Sequence, residues 1–286
     1  MDIRKPVTDG TVPFRYHKYD GDWREVDAEV IEEGMITLFV NGRELASLMC
    51  TPREPLQLAL GFLANEEFIT SYEEVAIDHV CAAGDCVDIW LTKPVWDRPR
   101  RRIITSGCGG GLTFVDLAEH QDPVTAEFAV KPQKIGELIT QLQTHDSLYA
   151  RARGVHASAL SDGERLVVIA EDIGRHNTVD RLRGECLLTG RETEGLMLLA
   201  TGRVSSEMIF KAAKMGCPVV ASRTSPTSIS VGLAREWNIT LCGYVRRRSM
   251  NVYSHPERLL DTELALQPEN ELFTSIEYPV PSGGGD

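Results

Sequence analysis

Residues 195–249 read GLMLLATGRVSSEMIFKAAKMGCPVVASRTSPTSISVGLAREWNITLCGYVRRRS, and their rhythm decides the fold. Short apolar runs, "GLMLLAT", "CPVVAS" and "ITLCGYV", alternate with longer stretches of helical character, "SSEMIFKAAKM" and "SPTSISVGLAREW". Strands alternating with helices in this way predict a largely parallel sheet covered on both faces. Just upstream, "GVHASAL" and "ERLVVIAED" flank the turn "SDG" as two adjacent strands, and "NTVDRLRGECLL" is the first covering helix. Sheets of this kind place ligands at the C-terminal ends of their strands.

Moving outward, "KPQKIGELITQLQTH" predicts a helix with Ile135, Leu138, Ile139 and Leu142 on one face. Before it, residues 92–130 are irregular and hold "DRPRRR", a glycine loop and "HQDPVTAEF". The first fifty residues read as β: "REVDAEVI" and "MITLFV" alternate, and Asn41-Gly42 is a hairpin signal. Leu56, Leu60 and Leu63 recur at helical spacing after Pro52 and Pro55, and residues 74–91 return to alternation around "AAGD". The expected organisation is a mixed α+β domain over 1–130, with the glycine loop at its end, an α/β domain over 131–275, and a disordered tail over 276–286. The overall class is α/β.

The 286-residue chain has a formal net charge of −12. That argues against a nucleic-acid binder, whose affinity needs a basic footprint. No apolar run is long enough to span a bilayer, and "MDIRKPVTDGTVPF" lacks the apolar core of a secretion signal, so a cytoplasmic protein is expected. Seven cysteines at scattered spacings suggest no disulfide framework. Cys186, Cys217 and Cys242 have apolar neighbours and read as buried hydrophobes. Cys81 and Cys86 could hold a metal, but no second ligand pair is visible nearby, and no structural metal is expected.

The strand exits share a chemistry. "EDIGRHN" brings Arg175 and His176, "TGRVSSE" brings Arg203 and Ser205, "SRTSPTS" brings Ser222 and Arg223, and "RRRSMN" brings Arg246, Arg247 and Arg248. Any one would pass as a cap plus a solvated charge. Their recurrence at the same end of successive strands predicts an anion site, for arginine matches phosphate oxygens and helix N-termini supply N–H groups. His156, in "GVHAS", reads as a core histidine, whereas His176 sits at a strand-to-helix turn within reach of a ligand. The other unusual feature is "ITSGCGGGLTF", residues 103–113, where Cys108 lies among Gly107, Gly109, Gly110 and Gly111. Glycines leave a thiol uncovered and let N–H groups converge on an anion, and Arg98, Arg100, Arg101 and Arg102 add positive charge. This is the setting of an activated sulfur.

Over most of residues 30–260 the chain resembles the FdhD family of formate dehydrogenase accessory sulfurtransferases. The resemblance is carried by "TPREPLQLALGFLANEEFI", "GVHASAL", "EDIGRHNTVDRLRG" and the long stretch from "TGRVSSE" to "YSHPERL". It implies a cytidine-deaminase-like fold for the C-terminal domain and transfer of persulfide sulfur from a cysteine desulfurase to the molybdenum bis(molybdopterin guanine dinucleotide) cofactor of formate dehydrogenase. It places the persulfide on Cys108 and the cofactor segment at Tyr244, Val245, Arg246, Arg247, Arg248 and Ser249, beside His176, Arg203 and Arg223 from the strand ends. It also implies a homodimer; from charge and hydropathy, no nucleic-acid or membrane partner is expected. One departure is Gly111, where the family commonly has a second loop cysteine. That keeps open a non-covalent cofactor-binding chaperone. A deaminase is disfavoured, because "HAS" lacks the glutamate of H-x-E and "SRTSPTS" has no cysteine.

Overall fold

The computed structural model describes residues 8–93, 103–104, 112–113, 121–144 and 147–259. Strands β1 (Thr11–Tyr19) and β2 (Trp23–Ile31) form an antiparallel ribbon. Next come β3 (Gly34–Val40), β4 (Arg43–Cys50), helix α1 (Pro55–Asn65), β5 (Val75–Val80) and β6 (Cys86–Leu91). These four strands make a mixed sheet in the order β4-β3-β6-β5, parallel only between β3 and β6. Asn41 and Gly42 turn the β3–β4 hairpin with φ of 50° and 71°, the pair of positive φ values that a type I′ turn needs. Pro55 opens α1, where its missing N–H leaves no bond unmade. Leu58, Phe62 and Leu63 of α1 share one core with Ile36, Leu38, Val40, Val87 and Ile89 of the sheet.

Short strands β7 (Ile103–Ile104) and β8 (Leu112–Thr113) pair with each other. Cys108 with its glycines, Arg98 with Arg100–Arg102, and the 276–286 tail lie outside the described residues.

The rest of the chain contributes α2 (Pro132–Thr144), α3 (Leu148–Ala152), β9 (His156–Ser161), β10 (Leu166–Asp172) and α4 (Arg175–Thr189). It continues with β11 (Met197–Ala200), α5 (Ser206–Lys214), β12 (Val219–Ser222), α6 (Ser228–Glu236), β13 (Thr240–Arg246) and β14 (Ser249–Ser254). The sheet order is β10-β9-β11-β12-β13-β14. Side chains alternate across it. Ala157, Ala159, Met197, Leu199, Val219, Ala221 and Cys242 meet Ile135, Leu138, Ile139 and Leu142 of α2. Leu160, Leu198, Val220 and Leu241 meet Val179 and Leu182 of α4, Met208 of α5 and Ala234 of α6. Burial on both faces is why the strands read as unbroken apolar runs.

The expectation of a largely parallel sheet needs correction. Only the centre, β11-β12-β13, is parallel, and the outer pairings are antiparallel. The reason is connection length: "SDG" and Arg247-Arg248 are tight turns, and a parallel neighbour needs a crossover too long for either. The fourth exit is therefore a hairpin rather than a strand running into a helix.

The two sheets are joined by a buried ion pair and a helix crossing. Arg181 of α4 is 1 % exposed and Asp172, at the end of β10, is fully buried. The guanidinium donates to Asp172 Oδ2 from Nε at 3.0 Å and Nη2 at 2.7 Å, to the Thr51 carbonyl at 2.7 Å and the Glu54 carbonyl at 3.0 Å, and also to the Arg53 carbonyl. Asp172 accepts in addition from the Thr51 N–H at 3.2 Å, the Gly174 N–H at 2.8 Å and Asn177 Nδ2 at 2.8 Å. Beside it α1 crosses α4 at glycine. A Cβ on Gly61 would stand 1.6 Å from the Asp180 carbonyl oxygen, and one on Gly184 would stand 1.9 Å from that of Gln57.

Removing one member of such a pair leaves the other charge buried alone. Arg181→Ala is expected to cost about 3–5 kcal/mol of unfolding free energy, read as a fall in the urea midpoint. A loss below about 1 kcal/mol would show that solvent reaches Asp172 and that the bolt is not sealed.

Candidate functional site

The register of the six-stranded sheet brings the strand exits to one edge. Asp172 lies opposite His156, Ala200 opposite both Ser158 and Ser222, and Ala221 opposite Cys242. The loops beyond are stitched together. Thr201 Oγ1 accepts from the Ala157 N–H at 2.9 Å, and the Thr201 N–H donates to the Ala157 carbonyl at 2.9 Å. Ser222 Oγ donates to the Gly202 carbonyl at 2.6 Å, and Arg246 Nη1 donates to the Arg223 carbonyl at 2.7 Å. The result is a continuous ledge from His156 to Arg246.

Arginine dominates this ledge. Arg203, Arg246, Arg247 and Arg248 are exposed and Arg223 is half-buried. Among the described residues none of these five pairs with a carboxylate; the ion pairs of the protein lie elsewhere. Burial, and then the positive charge of Arg246, lower the pKa of Arg223, whose guanidinium donates to Gln143 Oε1. Neighbouring guanidiniums left without acidic partners are the electrostatic signature of an anion site. At the far end, Arg247, Arg248, Ser249 and Met250 line a cavity of about 260 Å³ with Pro132 and Gln133. Gly136 lets α2 approach this turn: a Cβ there would stand 2.6 Å from the Arg247 carbonyl oxygen.

A register shift between Gly243 and Arg246 shapes the middle. Tyr244 adopts φ 52° with its N–H bonded to the Thr224 carbonyl at 3.0 Å, and the residue is 47 % exposed. A tyrosine in the left-handed region costs on the order of 1–3 kcal/mol, a strain that the surrounding structure must hold in place. Val245 turns the other way and is fully buried, so it offers a ligand only its main chain.

His176 lies beneath the ledge. It is 5 % exposed, with Nε2 3.0 Å from Ser205 Oγ and Nδ1 3.2 Å from Glu207 Oε2. Burial, then the charges of Lys211 and Arg175, push its pKa down to about 2. It is a neutral hydrogen-bonding group, not a cation for phosphate. His156 is half-buried beside it, and burial and then Arg175 lower its pKa as well. Gly202 makes this crowding feasible, since a Cβ there would lie 3.1 Å from both His156 Nδ1 and Arg175 Cβ.

The sequence reading missed Glu207 and Lys211, which look like ordinary solvent-facing charges of an amphipathic helix. Both are buried. Lys211 Nζ lies 2.8 Å from each Asp180 oxygen and 3.3 Å from Glu207 Oε1, and Asn65 of α1 donates to Asp180 Oδ1 at 2.7 Å. Asp85 was missed too: its carboxylate and the Cys81 and Cys86 thiols lie within 4.8 Å of one another, and among the described residues the group stops at three. The remaining described cysteines are buried, as the apolar neighbours of Cys186, Cys217 and Cys242 predict. Burial pushes the thiols of Cys50, Cys217 and Cys242 up to about 12, and that of Cys186 up to about 11.

Fold and ledge together define a mixed α/β protein with a row of arginines at one sheet edge that carries no acidic partners among the described residues. Comparison with known proteins narrows the class. The chain belongs to the FdhD/NarQ family, whose profile matches residues 31–260. It is 35% identical over 267 residues to the sulfur carrier protein FdhD of Staphylococcus aureus strain MRSA252, covering 91% of this chain and 100% of that one. The FdhD of Staphylococcus haemolyticus strain JCSC1435 is likewise 35% identical, over 269 residues. Among solved structures, a formate dehydrogenase accessory protein from Desulfotalea psychrophila superimposes with a TM-score of 0.73 at 29% identity, covering 87% of this chain and 99% of that one.

A histidine buried neutral has a linked pH dependence. The folded pKa lies below the unfolded value of 6.5, so the unfolded chain takes up the proton first as pH falls. The His176 contribution is complete above that value and lost below it, at about 1.4 kcal/mol per pH unit, until the folded group titrates. NMR is expected to show His176 unchanged between about pH 8 and pH 5, and His176→Gln should flatten the acid side of the stability profile. An imidazole that titrates in that range would contradict its burial.

Proposed function

We propose that this chain is a sulfurtransferase that takes persulfide sulfur from a cysteine desulfurase onto Cys108. It delivers that sulfur to molybdenum bis(molybdopterin guanine dinucleotide), the substrate it carries, for use by a formate dehydrogenase. Membership of the FdhD/NarQ family supports this reading, as do relatives named sulfur carrier proteins and a structural neighbour named for formate dehydrogenase. The observation that carries it is the ledge of arginines without acidic partners in a chain of net charge −12. A cofactor with two guanine-dinucleotide arms is an extended polyanion, and its charge fits a row of guanidiniums better than a single pocket.

In the loading step the Cys108 thiolate attacks the outer sulfur of the desulfurase persulfide. The desulfurase S–S bond breaks, a new S–S bond forms on Cys108, and the desulfurase cysteine leaves as a thiolate. No electrons are gained or lost. On the ledge, Arg223, Arg246, Arg247, Arg248 and Ser249 hold phosphate oxygens, Tyr244 offers a ring face for stacking, and Arg203 closes the end near His176. The scaffold of the α/β domain is of cytidine-deaminase type in this reading, used for binding rather than deamination. A homodimer working in the cytoplasm completes the proposal. Among the described residues, no helix is long and apolar enough to cross a membrane.

Gly111 favours a second reading, a non-covalent carrier of the same cofactor, because the second loop cysteine of the family pattern is missing. Mass spectrometry separates the two. After incubation with a cysteine desulfurase and cysteine, the chain is expected to gain one sulfur atom, lost in Cys108→Ala along with formate dehydrogenase maturation. Normal maturation by Cys108→Ala would leave only the non-covalent carrier.

The ledge has its own test. Each of Arg223→Ala and Arg246→Ala is expected to weaken GDP binding about tenfold or more, with binding steeply dependent on salt. Affinities equal to wild type would move the nucleotide off this edge.

A further inference from the structure

The chain of side chains beneath the ledge has a direction. Lys211 can only donate, and its ammonium lies 3.3 Å from Glu207 Oε1 and 2.8 Å from both oxygens of Asp180. Burial works to lower the Lys211 pKa, but the carboxylates of Asp180, Glu207 and Glu66 outweigh it and leave it raised. Lys211 is therefore a fixed cation. A carboxylate can only accept, and the Glu207 Oε2 atom lies 3.2 Å from His176 Nδ1 but off the line of a hydrogen bond, so among the described residues this buried oxygen accepts none. A negative oxygen that close favours the tautomer with its hydrogen on Nδ1, since a lone pair there would face the carboxylate, and this leaves a lone pair on Nε2, 3.0 Å from Ser205 Oγ. The single hydroxyl hydrogen of Ser205 is then directed inward.

Ser205 is free to take this part. It is the N-cap residue of α5, yet its side chain makes no capping bond. It is half-buried and follows exposed Arg203 by two residues, in the loop at the ledge. We propose that the Lys211–Glu207 ion pair fixes the tautomer of His176, whose Nε2 then holds Ser205 Oγ as an acceptor at the ledge, selecting a ring N–H or amino group of a heterocyclic ligand. This inference rests on the reading of the ledge as a nucleotide-type site. It divides the edge into two chemistries. Guanidiniums donate to phosphate, while Ser205 repels phosphate oxygen and accepts from a base or pterin.

The same residue types, Ser, His and an acid, activate serine nucleophiles in hydrolases, where the imidazole becomes an imidazolium during turnover. Here Lys211 and Arg175 stand beside the ring and its pKa is pushed down to about 2, which opposes that step. The chain sets hydrogen-bond polarity rather than generating a nucleophile.

The test uses the full chain with GDP as probe and inorganic pyrophosphate as the phosphate-only control, both by calorimetry. Ser205→Ala is expected to weaken GDP about fivefold to tenfold and leave pyrophosphate unchanged. Glu207→Gln keeps the shape but reverses the polarity. With Lys211 on its carbonyl, the amide presents N–H to Nδ1, the tautomer switches, Nε2–H donates to Ser205, and the serine hydrogen turns outward. That variant should lose GDP affinity as Ser205→Ala does, and ¹⁵N NMR should show His176 protonated at Nδ1 in the wild type and at Nε2 in the variant. Wild-type GDP affinity in Ser205→Ala, or a wild-type His176 protonated at Nε2, overturns the proposal. Wild-type protein that binds neither GDP nor pyrophosphate overturns the nucleotide reading of the ledge and the selection with it, whereas binding of pyrophosphate alone overturns only the selection.

Discussion

The structure depends on one buried contact, Arg181 against Asp172. Each ion alone would be costly inside a protein, so the pair persists only because every remaining donor and acceptor is used. The guanidinium is completed by main-chain carbonyls of Thr51, Arg53 and Glu54, the segment that leads from β4 into α1. The carboxylate closes β10 and accepts from the turn that starts α4. The entry to α1 and the entry to α4 are thus set by the same few atoms, and α4 opens beside the ledge with Arg175 and His176. Packing of the N-terminal sheet and placement of the arginine ledge both depend on this one interaction.

Around that bolt, charge is sorted by depth. Acids within the fold are spent on internal cations: Asp172 on Arg181, Asp180 and Glu207 on Lys211. The arginines of the ledge are left without such partners among the described residues, so their field faces outward. In an acidic protein this matters. The positive field of the ledge stands out against a surface of the opposite overall sign.

Much of this was legible in the sequence, and what was not has physical reasons. Asn41-Gly42 announced its hairpin because few other pairs accept two positive φ values. The Ile135, Leu138, Ile139, Leu142 stripe announced α2 because one face is buried. The strand-end arginines were readable because a parallel centre fixes which loops share an edge. The β13–β14 hairpin was missed because Arg246, Arg247, Arg248 and Ser249 are exposed and carry no apolar alternation. Glu207 and Lys211 were missed because i and i+4 charges look the same on a solvated helix as on one whose charged face is buried against Asp180 and His176. Local pattern carries periodicity; it does not carry which face a neighbouring helix will cover.

The crossing of α1 over α4 bears on how such a chain can change over generations. At Gly61 and Gly184 the obstacle to a larger residue is main chain, the Asp180 and Gln57 carbonyls, rather than a side chain that could shrink in compensation. No second substitution nearby can restore the lost space. These two positions are evolutionary dead ends in the strict sense: drift can repaint the helices on every other side, but a revertant at either glycine must be the glycine itself.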